Sequence, residues 1–285
     1  MAQPTQPIAA SDEFQRLGLL VGEAGLERLR RARILVFGVG GVGSHAVDAL
    51  ARAAVGHLTL VDFDHVVPSN INRQVEATHS TLGQAKAEAL AARVRDISPA
   101  CDVRAVVARL TPDNVDEFLE PEPDWVLDAI DDTEAKLALL SACVRRGLPV
   151  VSGMGAANKL LPGSIRTEDI SRSRQCPLAK VVRKRLRRMG IEHGVTVVYS
   201  EELPVRLADG SFQAPQPETA GAKRPQGTIS YLPALIGLHC AAAILRSLLA
   251  EIPFRRRGET PRTTTTSSSL PSCHPSSRSP QPPRS

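Results

Sequence analysis

Residues 33–43 read Arg-Ile-Leu-Val-Phe-Gly-Val-Gly-Gly-Val-Gly. The apolar run Ile34 to Phe37 has the length of a buried strand, and Gly38, Gly40 and Gly43 meet the G-x-G-x-x-G spacing directly after it and before a segment of helical period. Glycines at such a turn let the backbone approach a phosphate, and the first N–H groups of the following helix supply donors and partial positive charge. Asp62, 19 residues beyond Gly43 at the end of the next apolar run, is placed to take a ribose hydroxyl pair. These features predict a nucleotide-binding fold, and by themselves they suit a nicotinamide or flavin enzyme equally well.

Outward from the loop, strand-length runs alternate with segments of helical period. Strands are predicted at 33–37, 58–61, 103–110, 125–130 and 149–151, and helices at 43–53, 84–97, 115–119 and 134–146. This order predicts an α/β, Rossmann-like doubly wound, mainly parallel sheet covered on both faces. Thr111-Pro112 reads as an N-cap and first helical residue, Ser98-Pro99 closes one helix, and Gly147 before Pro149 ends another. A helix at 178–189, a strand at 195–199 and an apolar helix at 235–249 form a C-terminal extension. The expected organisation is a helical lead-in over 1–30, an ATP-binding core over 31–165, a basic helix and substrate or dimer region of the same domain over 166–258, and a disordered tail over 259–285. That tail holds eight Ser, five Thr and six Pro, too little apolar surface to offset its chain entropy.

With 285 residues and 42% hydrophobic content the chain can bury a substantial core, which excludes a wholly disordered protein. The cysteines Cys101, Cys143, Cys176, Cys240 and Cys273 form no CxxC pair, so neither a zinc cluster nor a disulfide framework is expected, and a reduced cytoplasmic setting follows. The N-terminus lacks the pattern of a secretory signal. The apolar stretch 229–250 carries Pro233, His239 and Arg246, so no membrane span is expected. The net charge of +5 is unevenly placed: eight basic residues and no acid lie between Arg172 and Arg188. Lys180, Arg183, Lys184 and Arg187 are candidate phosphate contacts to a folded RNA, although such a segment can also be a solvated helix face.

A cluster beyond Asp62 shifts the reading away from oxidoreduction. Asp64 is followed by Ser69-Asn70-Ile71-Asn72-Arg73-Gln74 and by Lys86 at the start of a helix. Arg73 and Lys86 would bring two cations to the mouth of the phosphate loop, which suits a triphosphate whose charge grows as it is cleaved, and Asn70 adds a neutral donor. Asp131, just past the strand at 125–130, is the candidate magnesium ligand. Taken singly, Arg73 and Lys86 could instead pair with Glu76 or Glu88, and Asp131 or Asp132 could cap the helix near Glu134.

Together, Gly38 to Gly43 with Gly41, Asp62-x-Asp64, Ser69 to Gln74, Lys86 and Asp128-x-x-Asp131 resemble the ThiF/MoeB/ubiquitin-activating superfamily of adenylating enzymes. The lead-in Phe14 to Gly22 is similar to that superfamily's, whose arginine reaches the ATP site of a dimer mate; Arg16 is the matching position, and the resemblance implies a homodimer. Sulfur-carrier activators hold zinc through two CxxC pairs, which this chain lacks. Residues 169–188, with Cys176-Pro-Leu-Ala-Lys180, and Gly227 to Pro233 are similar to the TcdA (CsdL) branch of tRNA threonylcarbamoyladenosine dehydratases.

The resemblance implies ATP as cosubstrate, tRNA as partner, and adenylation of the threonylcarbamoyl carboxylate followed by ring closure. It assigns phosphate to Gly38, Gly40, Gly41 and Gly43, ribose to Asp62, and triphosphate and transition state to Asn70, Arg73 and Lys86, with Asp64 and Ser69 completing the nucleotide site. Asp131 would hold Mg2+, with room for a monovalent cation nearby. Some relatives work with a cysteine desulfurase and a sulfur acceptor. Intramolecular capture needs no thiol, so Cys176 and Cys240 read as packing residues. The alternatives are an activator of a ubiquitin-like or sulfur-carrier protein and a nucleotide-binding scaffold without turnover.

Overall fold

In a computed structural model of the chain, residues 12–207 and 226–254 are described. Seven strands, β1 (Arg33–Phe37), β2 (His57–Val61), β3 (Asp102–Val106), β4 (Trp125–Asp128), β5 (Val150–Gly153), β6 (Ile165–Asp169) and β7 (Thr196–Ser200), form one sheet in the order β3-β2-β1-β4-β5-β7-β6. All neighbours are parallel except β6 against β7. The strand order reverses between β2 and β4 on either side of β1, and ligands of doubly wound sheets bind at the carboxyl edge beside such a reversal.

The described residues form seven α-helices: α1 (Gln15–Arg31), α2 (Gly43–Arg52), α3 (Lys86–Ile97), α4 (Val115–Phe118), α5 (Thr133–Arg146), α6 (Pro177–Arg188) and α7 (Tyr231–Leu248). One apolar cluster joins α2, α3 and α7 to Ile34, Val36, Leu58 and Leu60. Another joins α5 and α6 to Leu35, Phe37, Val126 and Val197. Alternate β1 side chains thus feed opposite cores, the consequence of a two-residue period in a strand buried on both faces. These elements lie in a compact unit, Met1–Ile252. The Ser/Thr/Pro tail lies outside the described residues.

Local chemistry fixes the ends. The Asp132 carboxylate accepts from Glu134 N (2.9 Å) and Ala135 N (3.0 Å) and caps α5, while Gly147, at φ 71°, closes it. Asp132 is therefore the capping residue of the two weighed from sequence. Thr111 is not a helix cap, contrary to expectation. The Asn114 side-chain oxygen takes the Thr111 N–H at 2.8 Å, residues 112–114 turn, and α4 starts only at Val115. The strand β6 was not foreseen, because Ile-Arg-Thr-Glu-Asp at an exposed antiparallel edge has no apolar run. Helix α7 begins four residues before the expected Leu235: Pro233 sits in its first turn, where a missing N–H costs no intrahelical bond. Tyr231–Leu248 is long and apolar enough to cross a membrane, but Leu232, Ile236, Cys240 and Ile244 are buried in the α2 side core.

The β4 end is held by a buried ion pair. Lys136 Nζ lies 2.6 Å from Asp128 Oδ2 with both side chains fully buried, and Ser152 Oγ donates to the same oxygen at 2.6 Å. Lys136 also donates to Ser152 Oγ and the Gly153 carbonyl, each at 3.2 Å, and Ile130 N donates to Asp128 Oδ1 at 3.0 Å. Lys136→Met alone leaves a buried unpaired carboxylate and should cost about 3–5 kcal/mol by chemical denaturation. Adding Asp128→Asn should recover much of that loss, since the amide keeps the Ile130 and Ser152 contacts without a charge.

Candidate active site

Strand register assembles the site. Phe37 pairs with Val61 on one side and Asp128 on the other, so the residues after all three strands meet at the carboxyl edge. Gly38 N donates to Val61 O (2.9 Å) and Ala129 N to Phe37 O (2.8 Å). Gly38 has φ 79°, and a Cβ there would sit 2.7 Å from Ala129 O; a Cβ at Gly43 would overlap the Gly38 carbonyl. The loop is therefore closed to side chains at both ends by neighbouring backbone.

Asp62 is buried at the centre of this edge. Its Oδ2 accepts from Val39 N and its Oδ1 from Asp64 N, each at 2.8 Å. Burial raises its pKa, and those two N–H groups and Lys86 oppose the rise. Each carboxylate oxygen retains a lone pair for a ribose hydroxyl. Lys86, the first residue of α3, is buried and pairs with Asp64 Oδ2 at 2.9 Å, while its own N–H donates to Asp64 O at 2.9 Å. Its ion-pair partner is Asp64, not Glu76 or Glu88.

Arg73 lies across the loop. A Cβ at Gly41 would meet Arg73 Cγ at 3.3 Å and Pro233 Cβ at 3.1 Å, so the glycine admits both. Arg73 donates to Ser69 O (2.8 Å) and Asn72 Oδ1 (2.9 Å) and makes no ion pair among the described residues. His45 Nε2 donates to the Arg73 carbonyl at 3.2 Å. Asn70 is buried and uses its side-chain oxygen to accept Val67 N at 3.1 Å, which shapes the turn preceding Arg73. Asn72 Nδ2 reaches Thr228 O at 3.0 Å, and Asn158 N donates to Gly227 O at 2.8 Å. The 226–233 segment thus walls the site between the Ser69 to Gln74 motif and the chain beyond β5. His45, Ile71, Asn72, Arg73 and Ser230 share a cleft of about 170 Å3. A larger hollow of about 650 Å3 lies along the outer strand β3, away from these residues.

Asp131 stands exposed in the turn after β4. No group of three or more His, Cys, Asp or Glu among the described residues is arranged to hold a metal by itself. Magnesium that arrives with a nucleotide needs only one or two carboxylates, the rest being phosphate oxygens and water. An exposed carboxylate at this edge is of that kind. Arg16 is exposed on α1, next to Leu19 and Leu20, which are 86% and 70% exposed.

The basic helix divides. Ala179, Val182 and Leu186 bury one stripe of α6. Arg183 turns to the Ser173 carbonyl and hydroxyl, and Arg185 forms a two-pronged pair with Glu134. Lys180, Lys184 and Arg187 are exposed. Arg183 is half-buried, with one guanidinium nitrogen on Ser173. Cys101, Cys143, Cys176 and Cys240 are buried and free, and burial pushes the Cys143 thiol up to about 12 and Cys240 higher still, which leaves no reactive thiolate there.

Two features went unread from sequence: Arg109 lies 3.9 Å over the Phe63 ring, next to Asp62 in the chain, and Glu76 is 2% exposed. Gln74, the last residue of the Ser69 to Gln74 motif, is buried with no hydrogen bond to its Oε1.

A family model described as the ThiF family matches residues 14–283. The chain belongs to the ThiF family. It is 39% identical over 250 residues to the tRNA threonylcarbamoyladenosine dehydratase of Bacillus subtilis, covering 86% of this chain and 97% of that protein. The crystal structure of the Escherichia coli tRNA N6-threonylcarbamoyladenosine dehydratase in complex with ATP matches with TM-score 0.74 at 34% identity, over 85% of this chain and 98% of that one. The sulfur carrier protein adenylyltransferase of Thermus thermophilus is 38% identical, but over 50% of this chain and 53% of its own length.

The loop gives a direct test. Gly43→Ala forces a Cβ onto the Gly38 carbonyl, a clash of about 1–3 kcal/mol, and should weaken ATP binding about tenfold in calorimetry. Gly163→Ala, where a Cβ meets nothing within 4 Å, should bind as the unaltered protein does.

Proposed function

We propose that this ThiF-family chain is an ATP-dependent tRNA threonylcarbamoyladenosine dehydratase. The observation that carries the reading is the convergence of the glycine loop, Asp62, Arg73 and the Asp64-paired Lys86 at one sheet edge, in a chain that matches dehydratases over nearly their whole length. Carrier activation is the lesser reading, because likeness to a carrier adenylyltransferase spans only half the chain.

In the reaction, a carboxylate oxygen of the threonylcarbamoyl group attacks the α-phosphorus of ATP and pyrophosphate leaves. A nitrogen of the same modification then attacks the acyl adenylate, loses its proton, and expels AMP with one carboxylate oxygen. The net change in the nucleoside is loss of water. The loop N–H groups and the α2 N-terminus hold phosphate, Asp62 orients the ribose, and Arg73 with Lys86 meets the charge gathering on the leaving pyrophosphate. Asp131 would hold magnesium, which supplies further charge neutralisation on the phosphates. Ring closure is intramolecular and benefits from high effective molarity, so neither a thiol nor a sulfur-acceptor partner is required.

The homodimer reading is supported by Arg16 beside exposed Leu19 and Leu20, an apolar face suited to burial against a second copy. Lys180, Lys184 and Arg187 are the proposed tRNA contacts. A cytoplasmic setting suits a tRNA substrate and four unpaired buried cysteines.

Incubation of threonylcarbamoylated tRNA with the protein, ATP and magnesium should yield a nucleoside lighter by one water in mass analysis, and Lys86→Ala should abolish the change. No product despite ATP binding would overturn the dehydratase reading. Replacing Lys180, Lys184 and Arg187 together by Glu should lower tRNA affinity and reduce the slope of log affinity against log salt by about 2, with ATP binding unchanged. An unaltered slope would remove α6 from the tRNA surface.

A further inference from the structure

Between Arg73 and the start of α7 lies a cleft of about 170 Å3, directly beside the phosphate loop. Its walls are pinned to one another: a Cβ at Gly41 would come within 3.1 Å of Pro233 Cβ, Asn72 Nδ2 donates to Thr228 O at 3.0 Å, and the Tyr231 hydroxyl donates to Leu160 O at 2.8 Å. No Asp or Glu lines it among the described residues, and His45 and Asn72 spend side-chain nitrogens on the Arg73 and Thr228 carbonyls. What remains around the cleft is a set of donors. Arg73 has no ion pair among the described residues. Gln74, also in the lining, is 7% exposed; its Oε1 has no hydrogen-bond partner, and its Nε2 lies beside Gly40, 3.6 Å from where a Cβ there would stand. Burying such an amide costs stability that an apolar side chain of like volume would not, which points to a ligand. Ser230, the third donor source, precedes the 18-residue α7 and makes no side-chain cap bond, and the first turn leaves the N–H groups of Tyr231 and Leu232 without intrahelical acceptors.

We propose that this cleft seats the carboxylate that is to be activated, with Arg73, Gln74 and the α7 N-terminus as its donors. The inference rests on the dehydratase reading, which makes that carboxylate the one on the threonylcarbamoyl group. Asp62, Asp64 and Lys86, assigned to ribose and triphosphate, do not line the cleft, whereas Arg73 lines it and also lies against the loop at Gly41. A carboxylate held there is therefore beside the phosphates but has donors of its own. Two anions that must react are brought together next to one guanidinium, and the positive end of α7 supplies further charge to offset their repulsion.

The test is the affinity of the full chain for threonylcarbamoylated and for unmodified tRNA, each with magnesium and an ATP analogue whose α,β-methylene bridge prevents adenylation. The ratio cancels contacts to the RNA backbone and leaves the carboxylate with its carrier group. The unaltered protein should favour the modified tRNA about tenfold, the size of a hydrogen bond to a charged group. Ser230→Asp sets a rival carboxylate at the exposed helix end and should remove most of that preference with the dissociation constant of ATP unchanged, whereas Ser230→Lys should keep or increase it. Gln74→Met should lower it. A preference that survives Ser230→Asp overturns the proposal, as does an equal loss in Ser230→Lys, which would make the effect steric. A parallel loss of ATP affinity in Ser230→Asp also overturns it and gives the cleft to the triphosphate. An unaltered protein that shows no preference and still dehydrates the modified tRNA refutes the carboxylate site alone; one that binds ATP and yields no dehydrated nucleoside overturns the dehydratase reading beneath it.

Discussion

The Asp62 carboxylate takes the Val39 and Asp64 N–H groups at 2.8 Å each, and through them the end of β2 grips the glycine loop after β1. Without that grip the loop would keep its glycines but lose its aim, because glycine is the residue with most conformational freedom to surrender. The same contact sets Asp64, whose backbone and side chain both hold Lys86. A single buried carboxylate thus organises the glycine loop on one side and, on the other, the Lys86 ammonium proposed to meet the triphosphate. Its raised pKa is the cost of that placement, limited by the N–H groups it accepts.

Across β1 the Asp128–Lys136–Ser152 group does corresponding work with charge that never meets solvent. It fixes the β4 end, from which the chain turns through Ala129 against Gly38 to the exposed Asp131 and then to the Asp132 cap of α5. The three aspartates at 128, 131 and 132 therefore separate into internal strut, exposed ligand candidate and helix cap. Spacing could not assign those parts, since a carboxylate's role is decided by what surrounds it.

The core strands and helices were legible because they are buried on both faces or carry strong punctuation, as with β1, Asp132 and Gly147. Legibility failed where pattern and environment part company. The edge strand β6 is charged along an exposed side, and the helix expected to start after Thr111 begins only past Asn114, whose side chain bonds back to the Thr111 N–H and does not cap α4. The motif residues converge at the sheet edge, but the direction of each cation needed coordinates: Arg183 and Arg185 are spent on Ser173 and Glu134, leaving Lys180, Lys184 and Arg187 to solvent. In sequence Glu76 reads only as an ion-pair partner for Arg73 or Lys86, because nothing there shows that a glutamate will be buried.

Adenylation and acceptor choice are separable in this architecture. The nucleotide machinery occupies the ends of β1, β2 and β4 and the start of α3, whereas the wall made by 226–233 comes from the C-terminal part of the chain and reaches the motif through Asn72 and Thr228. Likeness to a carrier adenylyltransferase covers half the chain, and likeness to the dehydratases covers most of it. A core shared with the first group can activate a carboxylate of any origin, since ATP supplies the leaving group and the loop recognises only the nucleotide. If the substrate is the RNA-borne carboxylate proposed above, its selection must come from surfaces outside that core. The exposed cations of α6, proposed above as the tRNA contacts, would suit that work, since none of them bonds to Asp62 or Lys86 among the described residues.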